Sequence, residues 1–250
     1  MPLPSPSFAT TLDGILDRRV RLEQPAKGYR VGVDTVLLAA CVPAQKGQRI
    51  LDLGCGVGGV MLALACRVPE LSGVGIELQS ALASLCERNI AANPFALGFS
   101  VCVGTVAALP DACVGAFDHV VMNPPYHETA RHDPSPNSLK RTAHEEGEAD
   151  LTTWIRAACA CLAEGGSMTL IHRAEREDSI RQALPKDMRV RDTLFIFPKR
   201  GDPPKRVILR AQKGGAEKEA PTEHGLVLHK AEGGFTEEAE AVLRGALPLV

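Results

Sequence analysis

No pair of cysteines in this sequence stands as CxxC, no histidines stand as HExxH, and no apolar run reaches the ~18 to 20 residues that cross a bilayer as a helix. Zinc and dithiol redox chemistry therefore have no local signature. The eight cysteines fall mostly within apolar stretches and read as reduced core residues, and the seven histidines are scattered. No metal is expected, and neither is a membrane partner. Residues 1–7 are proline-rich and lack the apolar centre of a signal peptide, so the expected location is the cytoplasm. Excess charge is also missing. Lys plus Arg number 28 against 30 Asp plus Glu, a net charge of -2, so any nucleic-acid contact must come from a local patch. A chain of 250 residues, 45% hydrophobic, is long enough to bury one sizeable core.

What is present is a regular alternation. Residues 1–11 read as a disordered N-terminus. Residues 12–48 read as a cap, with a small hairpin and then a buried helix over 33–42. From residue 49 short apolar strands alternate with longer helices: strands at 50–53, 74–77, 99–103 and 117–122, helices at 58–68 and 80–92. After a polar interruption at 127–150, whose length marks a functional loop, come a helix at 151–162, a turn at Gly165-Gly166, a strand at 168–172 and a helix at 174–184. Strands near 190–197 and 206–211 close the pattern. This is an α/β arrangement of βαβ units with a mostly parallel sheet and helices on both faces, filling residues 49–211. Residues 212–250 read as a linker and extension, with a short strand at 226–229 and a helix opened by Thr236.

The stretch Leu51-Asp52-Leu53-Gly54-Cys55-Gly56-Val57-Gly58-Gly59 is a strand, a glycine turn and a helix start, which binds a nucleotide at the carboxyl edge of such a sheet. The letters also satisfy GxGxxG, so a dinucleotide stays open. S-adenosylmethionine is favoured because Asp52 would repel a pyrophosphate yet suits the ammonium of a methionine moiety. Glu77 ends the second strand about 20 residues on, where a carboxylate accepts from ribose hydroxyls in either cofactor. Leu78, Thr105 and Val106 follow the second and third strands. Gly104-Thr105 stands where an acid is frequent, which leaves adenine recognition to a hydroxyl or to backbone groups.

Asn123-Pro124-Pro125-Tyr126 ends the fourth strand. The lone pair of an exocyclic amino nitrogen is delocalised into its ring, so its methylation needs acceptors that withdraw that conjugation. The Asn123 side-chain oxygen and the Pro124 carbonyl can each accept one N–H, consecutive prolines fix the carbonyl's direction, and Tyr126 offers a face on which a base stacks. No strong general base is required, because the donor carries its own leaving group.

These motifs, with Gln24-Pro25, Gly28-Tyr29-Arg30, Asp34, His127, Ala143-His144-Glu145 and Trp154, resemble the bacterial tRNA1(Val) adenine-N6-methyltransferase family over roughly residues 12–245. The resemblance implies a Rossmann-like class I methyltransferase sheet of seven strands with the last inserted antiparallel. It also implies S-adenosylmethionine as donor, and the adenosine at position 37 of a valine tRNA, in the anticodon loop, as target. Asn123, Pro124 and Tyr126 would then be catalytic. Arg30, Asp34, Asp52, Gly54, Gly56, Gly58, Glu77, Leu78, Thr105, Val106 and Asn123 would hold the cofactor, with residues 30–35 closing over its methionine end. Pro125, Tyr126, His127, Lys140, Arg141, Lys199 and Arg200 would meet the RNA. An anticodon-loop adenosine is already unpaired, so extruding it is less costly than opening a duplex. Three other readings stay open: a glutamine N5-methyltransferase, because the tetrapeptide serves a planar amide equally well; a DNA adenine methyltransferase; and a non-catalytic RNA-binding protein that keeps the fold.

Overall fold

Successive residues of the central strands divide between two cores, and this alternation builds the sheet. Ile50 and Val121 join one apolar cluster, while Leu51, Leu53, Val120 and Met122 join the other. Both faces of such strands need a cover. The computed structural model describes residues 6–28, 30–126, 150–214, 220–245 and 247–249. It opens with an antiparallel hairpin, β1 (Thr10–Ile15) and β2 (Val20–Pro25), followed by α1 (Val33–Ala40). The sheet is then built from β3 (Arg49–Leu53), α2 (Gly59–Arg67), β4 (Ser72–Glu77), α3 (Ser80–Ala92), β5 (Phe99–Val103) and β6 (Phe117–Met122). It continues through α4 (Leu151–Cys161), β7 (Leu162–Arg173), α5 (Glu177–Ala183), β8 (Met188–Lys199), β9 (Arg206–Lys213), β10 (Thr222–His229) and α6 (Glu237–Gly245).

The strand order is β10-β8-β9-β7-β6-β3-β4-β5, with β9 alone antiparallel to its neighbours. Residues of α1, α2, α3 and α6 fill one core, and residues of α4 and α5 fill the other. The sheet therefore has eight strands where seven were expected. The additional one, β10, lies parallel to β8 from Thr222 against Asp192 to His229 against Lys199, and it covers what would otherwise be an open edge. The extension is thus part of the same sheet. Its helix buries Ala239 and Val242 in the core shared with α1, and the Thr236 hydroxyl accepts from the Ala239 N–H at 3.2 Å as the expected cap.

Gly165-Gly166 is a second difference. Instead of a turn before the strand, the pair lies within β7, where the register against β6 jumps from Phe117–Leu162 to His119–Ser167. Gly165 has φ +78°, and a Cβ on Gly166 would lie 2.9 Å from the Asp118 carbonyl. The glycines therefore make a bulge rather than a loop.

His119, buried in the middle of β6, carries a testable consequence. Its Nδ1 lies 2.8 Å from the Ser167 hydroxyl and its Nε2 2.9 Å from Gln48 Oε1. Gln48 Oε1 can only accept, so Nε2 carries the proton of a neutral ring. Burial pushes this histidine down to about 4. Between the unfolded value near 6.5 and the folded one, the unfolded chain binds a proton that the native chain refuses, so stability falls as pH drops. Denaturant unfolding at pH 7 and pH 5 should show the parent losing about 2 kcal/mol more than His119→Gln. Parallel losses in the two proteins would remove this account.

Candidate active site

Leu53 of β3 pairs with Met122 of β6 in parallel register, so the residues that follow each strand emerge side by side at the carboxyl edge. On the β3 side the chain turns through three left-handed glycines, Gly54 (φ +69°), Gly56 (φ +56°) and Gly58 (φ +87°), before α2 begins. A Cβ on Gly54 would lie 2.7 Å from the Trp154 ring, and one on Gly58 would lie 2.8 Å from Cys86 Sγ. Around Gly56 there is open space. Glu77, at the end of β4, holds this turn: one carboxylate oxygen accepts from the Gly56 N–H and the other from the Gln79 N–H, both at 2.9 Å. Burial raises its pKa, while those amides oppose the rise. The Val57 carbonyl accepts from the buried Asn89 side chain at 2.9 Å.

Asp52 is 2% exposed. The Met61 N–H in the first turn of α2 favours the ionised form of Asp52, and Oδ2 has no hydrogen-bond partner among the described residues. Burial, and then the nearby Glu77, lift this carboxyl well above the usual range. Asp52 therefore presents a buried oxygen beside the start of α2 that no described residue satisfies. Residues 30–35 run close by: a Cβ on Gly59 would lie 2.7 Å from a Val31 methyl and 3.0 Å from that of Thr35.

On the β6 side, Pro124 is buried, Asn123 and Tyr126 are half-buried and Pro125 is exposed. Tyr126 meets residues from three other elements. Its hydroxyl donates to Asp34 Oδ2 at 3.4 Å, the Arg206 guanidinium carbon lies 4.9 Å from its ring centre, and the His172 ring is tilted against it at 5.0 Å. Arg206 Nε donates to the same Asp34 oxygen at 3.0 Å. His172 accepts from the Arg173 N–H through Nδ1, and burial with the flanking arginines pushes it down to about 4, so it is a neutral ring.

A family model described as the methyltransferase small domain matches residues 29–190. The chain belongs to that family. This methyltransferase is similar to curated relatives named tRNA1(Val) (adenine(37)-N6)-methyltransferase. The one from Yersinia enterocolitica is 28% identical over 216 residues, covering 86% of this chain and 84% of the relative. The one from Shewanella amazonensis is 28% identical over 221 residues, covering 87% and 91%. A solved structure of a predicted O-methyltransferase from Agrobacterium tumefaciens superposes with a TM-score of 0.68 at 25% identity, covering 86% of this chain and 97% of that one.

The expected methyl donor, S-adenosylmethionine, is a sulfonium whose methyl carbon is electrophilic. The site fits it on its own geometry: a glycine turn with room for a ligand, a buried carboxylate oxygen lacking a donor, and a second carboxylate whose lone pairs are only partly used. Thr105 and Val106 follow β5 near the end of β4, where Gly104 N donates to the Glu77 backbone carbonyl at 3.0 Å. Leu78 is 37% exposed at the same edge.

Some expected residues lie apart. Arg30 directs its hydrogen bonds at the hairpin, to Thr11, the Pro25 carbonyl and Asp13. Lys199 reaches the Ala231 carbonyl at 3.1 Å, and Arg200 is exposed in the turn after β8, at the sheet edge that carries Asn123. His127, Lys140 and Arg141 lie outside the described residues. Sequence reasoning missed Asn89 and His172. Asn89 is a polar interruption on the buried side of α3, and His172 nearly ends a strand at the carboxyl edge; those were the available signals.

Two substitutions test the turn. Gly56→Ala should cost about 1 kcal/mol of stability for its left-handed backbone, yet weaken S-adenosylmethionine at least tenfold by calorimetry, because the methyl fills the cradle. Asp52→Asn should leave the melting temperature equal or higher while also weakening the cofactor. Undiminished affinity in both variants would place the donor elsewhere.

Proposed function

We infer that this methyltransferase places a methyl group on the exocyclic N6 of a tRNA adenosine, at position 37 beside the anticodon of tRNA1(Val), and works in the cytoplasm. The observation that carries this reading is the Asn123-Pro124-Pro125-Tyr126 tetrapeptide leaving β6 directly beside the glycine turn of β3. The names of the curated relatives supply the tRNA and the position.

In this reading Asp52 Oδ2 receives the ammonium of the donor's methionine moiety, Glu77 the ribose hydroxyls, and Leu78, Thr105 and Val106 border the adenine. Residues 30–35, with Arg30 anchoring them to the hairpin, cover the methionine end. The Asn123 oxygen and the Pro124 carbonyl accept the two amino hydrogens of the target base and stabilise the positive charge that grows on its nitrogen. Tyr126 carries the extruded ring. Lys199 and Arg200, with His127, Lys140 and Arg141 of the long loop, supply phosphate and base contacts.

The Agrobacterium protein's name points to an oxygen acceptor. A hydroxyl would need a base to take its proton, whereas this tetrapeptide offers carbonyl-type acceptors and no carboxylate or imidazole, which suits an amino or amide nitrogen. A glutamine side chain shares that chemistry. Incubating the protein with total tRNA and, separately, with a peptide-chain release factor divides the two, and nucleoside mass spectrometry should find N6-methyladenosine only in the first. Asn123→Ala should lower kcat roughly a hundredfold or more with cofactor affinity retained. Turnover equal to the parent would refute the role given to Asn123, and modification of the release factor alone would refute the substrate.

A further inference from the structure

The contacts of Tyr126 form a device that the base-stacking role does not by itself require. A tyrosine that follows two prolines at a strand end can turn about χ1 and χ2, so a flat platform there has no fixed direction unless neighbours hold it. Three elements hold this one. Asp34, in the first turn of α1, takes both the Tyr126 hydroxyl and Arg206 Nε on its Oδ2. Arg206, the first residue of β9, lies against the Tyr126 ring with its guanidinium 4.9 Å from the ring centre, within cation–π range. His172 of β7 tilts against the ring. The hydroxyl contact is long at 3.4 Å, so the shorter Arg206–Asp34 pair and the stacked guanidinium carry most of the hold.

Geometry also argues against Asp34 as a donor to the cofactor site. Its Oδ2 is already committed to a cation and a phenol on the acceptor side of the sheet edge. Its neighbours in sequence do face the cofactor turn, since the Val31 methyls pack where a Gly59 Cβ would stand. Asp34 thus joins the segment lying over the start of α2 to the platform after β6.

We propose that the Asp34–Arg206 pair is a positioning device that aims the Tyr126 ring at the acceptor base and ties that aim to the segment covering the methyl donor. The proposal rests on the reading of Tyr126 as a base platform. Neither residue touches the reacting atoms; both act through the ring.

The test reads the ring directly and then the reaction. The chain has two tyrosines, so 3-fluorotyrosine labelling of the full-length protein gives two 19F resonances, assigned by Tyr126→Phe. Arg206→Met and Asp34→Asn should each shift or broaden the Tyr126 signal and leave that of Tyr29 in place. Arg206→Lys keeps the ion pair without the planar stack and should restore part of the parent signal. In steady-state assays on tRNA, Arg206→Met and Asp34→Asn should each lower kcat/KM for RNA by roughly ten- to hundredfold. S-adenosylmethionine Kd of Arg206→Met by calorimetry should stay within about threefold of the parent, and the double variant should be no worse in turnover than the poorer single one.

Three outcomes overturn the proposal: a Tyr126 resonance indifferent to both substitutions, losses that multiply in the double variant, or an Asp34→Asn protein whose defect is confined to cofactor affinity. A parent that methylates no tRNA while its Tyr126 signal still responds to Arg206 and Asp34 would instead defeat the substrate reading and leave the holding device standing.

Discussion

Because β3 and β6 pair in parallel, Leu53 against Met122, one strand end delivers a carboxylate and a glycine turn to the same sheet edge where the other delivers Asn123. The glycine turn and the Asn123 tetrapeptide are therefore neighbours by strand pairing rather than by loop closure. Every other feature of the site adjusts groups around that fixed adjacency. The β4 strand adds Glu77 on one flank, and β7 and β9 add His172 and Arg206 on the other. The antiparallel entry of β9 matters here: it puts the start of that strand, rather than its end, at the working edge, with Arg206 paired to Arg173.

The electrostatics of the edge run against stability. Asp52 and Glu77 are both buried, Glu77 further disfavours ionisation of Asp52, and Asp52 Oδ2 is left without a donor among the described residues. A buried unsatisfied polar group costs roughly 1 to 3 kcal/mol. The spare oxygen makes sense as one end of a contact completed by a cationic ligand. Glu77 differs in kind, since its two amide bonds mould the turn before any ligand arrives, so the cradle at Gly56 is preformed.

What the sequence made legible follows from which interactions are local. Strands β3 to β9 and their helices carry their own apolar periodicity, and the glycine turn and tetrapeptide are contiguous, so both could be read along the chain. The length of β10 could not. Its residues, with His224, Gly225 and polar neighbours, show no clean alternation, and they form a strand because β8 offers an edge from Asp192 to Lys199. The same holds for Gly165-Gly166: as letters they are a turn, and only the carbonyls of Phe117 and Asp118 pressing on Gly166 make them a bulge. Asp34 and Arg206 are 172 residues apart, and no local pattern pairs them.

The N-terminal hairpin shows how a marginal element becomes part of the site. Two strands alone are barely stable in water. Here the neighbour that β2 lacks is supplied by two side chains. Asn93 donates to the Arg21 carbonyl and accepts from its N–H, at 2.8 and 3.0 Å, and Asn89 does the same for Glu23 at 2.9 and 2.7 Å. The spacing matches, because two residues along a strand advance about 6.6 Å and four along a helix about 6 Å, so Asn89 of α3 and Asn93, which caps its C-terminus, imitate the edge of a third strand. Asn89 also spends its second amide hydrogen on the Val57 carbonyl inside the glycine turn. Gln24 of the same hairpin accepts from the Val31 N–H at 2.9 Å, and Arg30 bonds back to Asp13. The hairpin is thus fastened on one side to the glycine turn and on the other to residues 30–35. A shift of β2 cannot move one of these segments without straining the other.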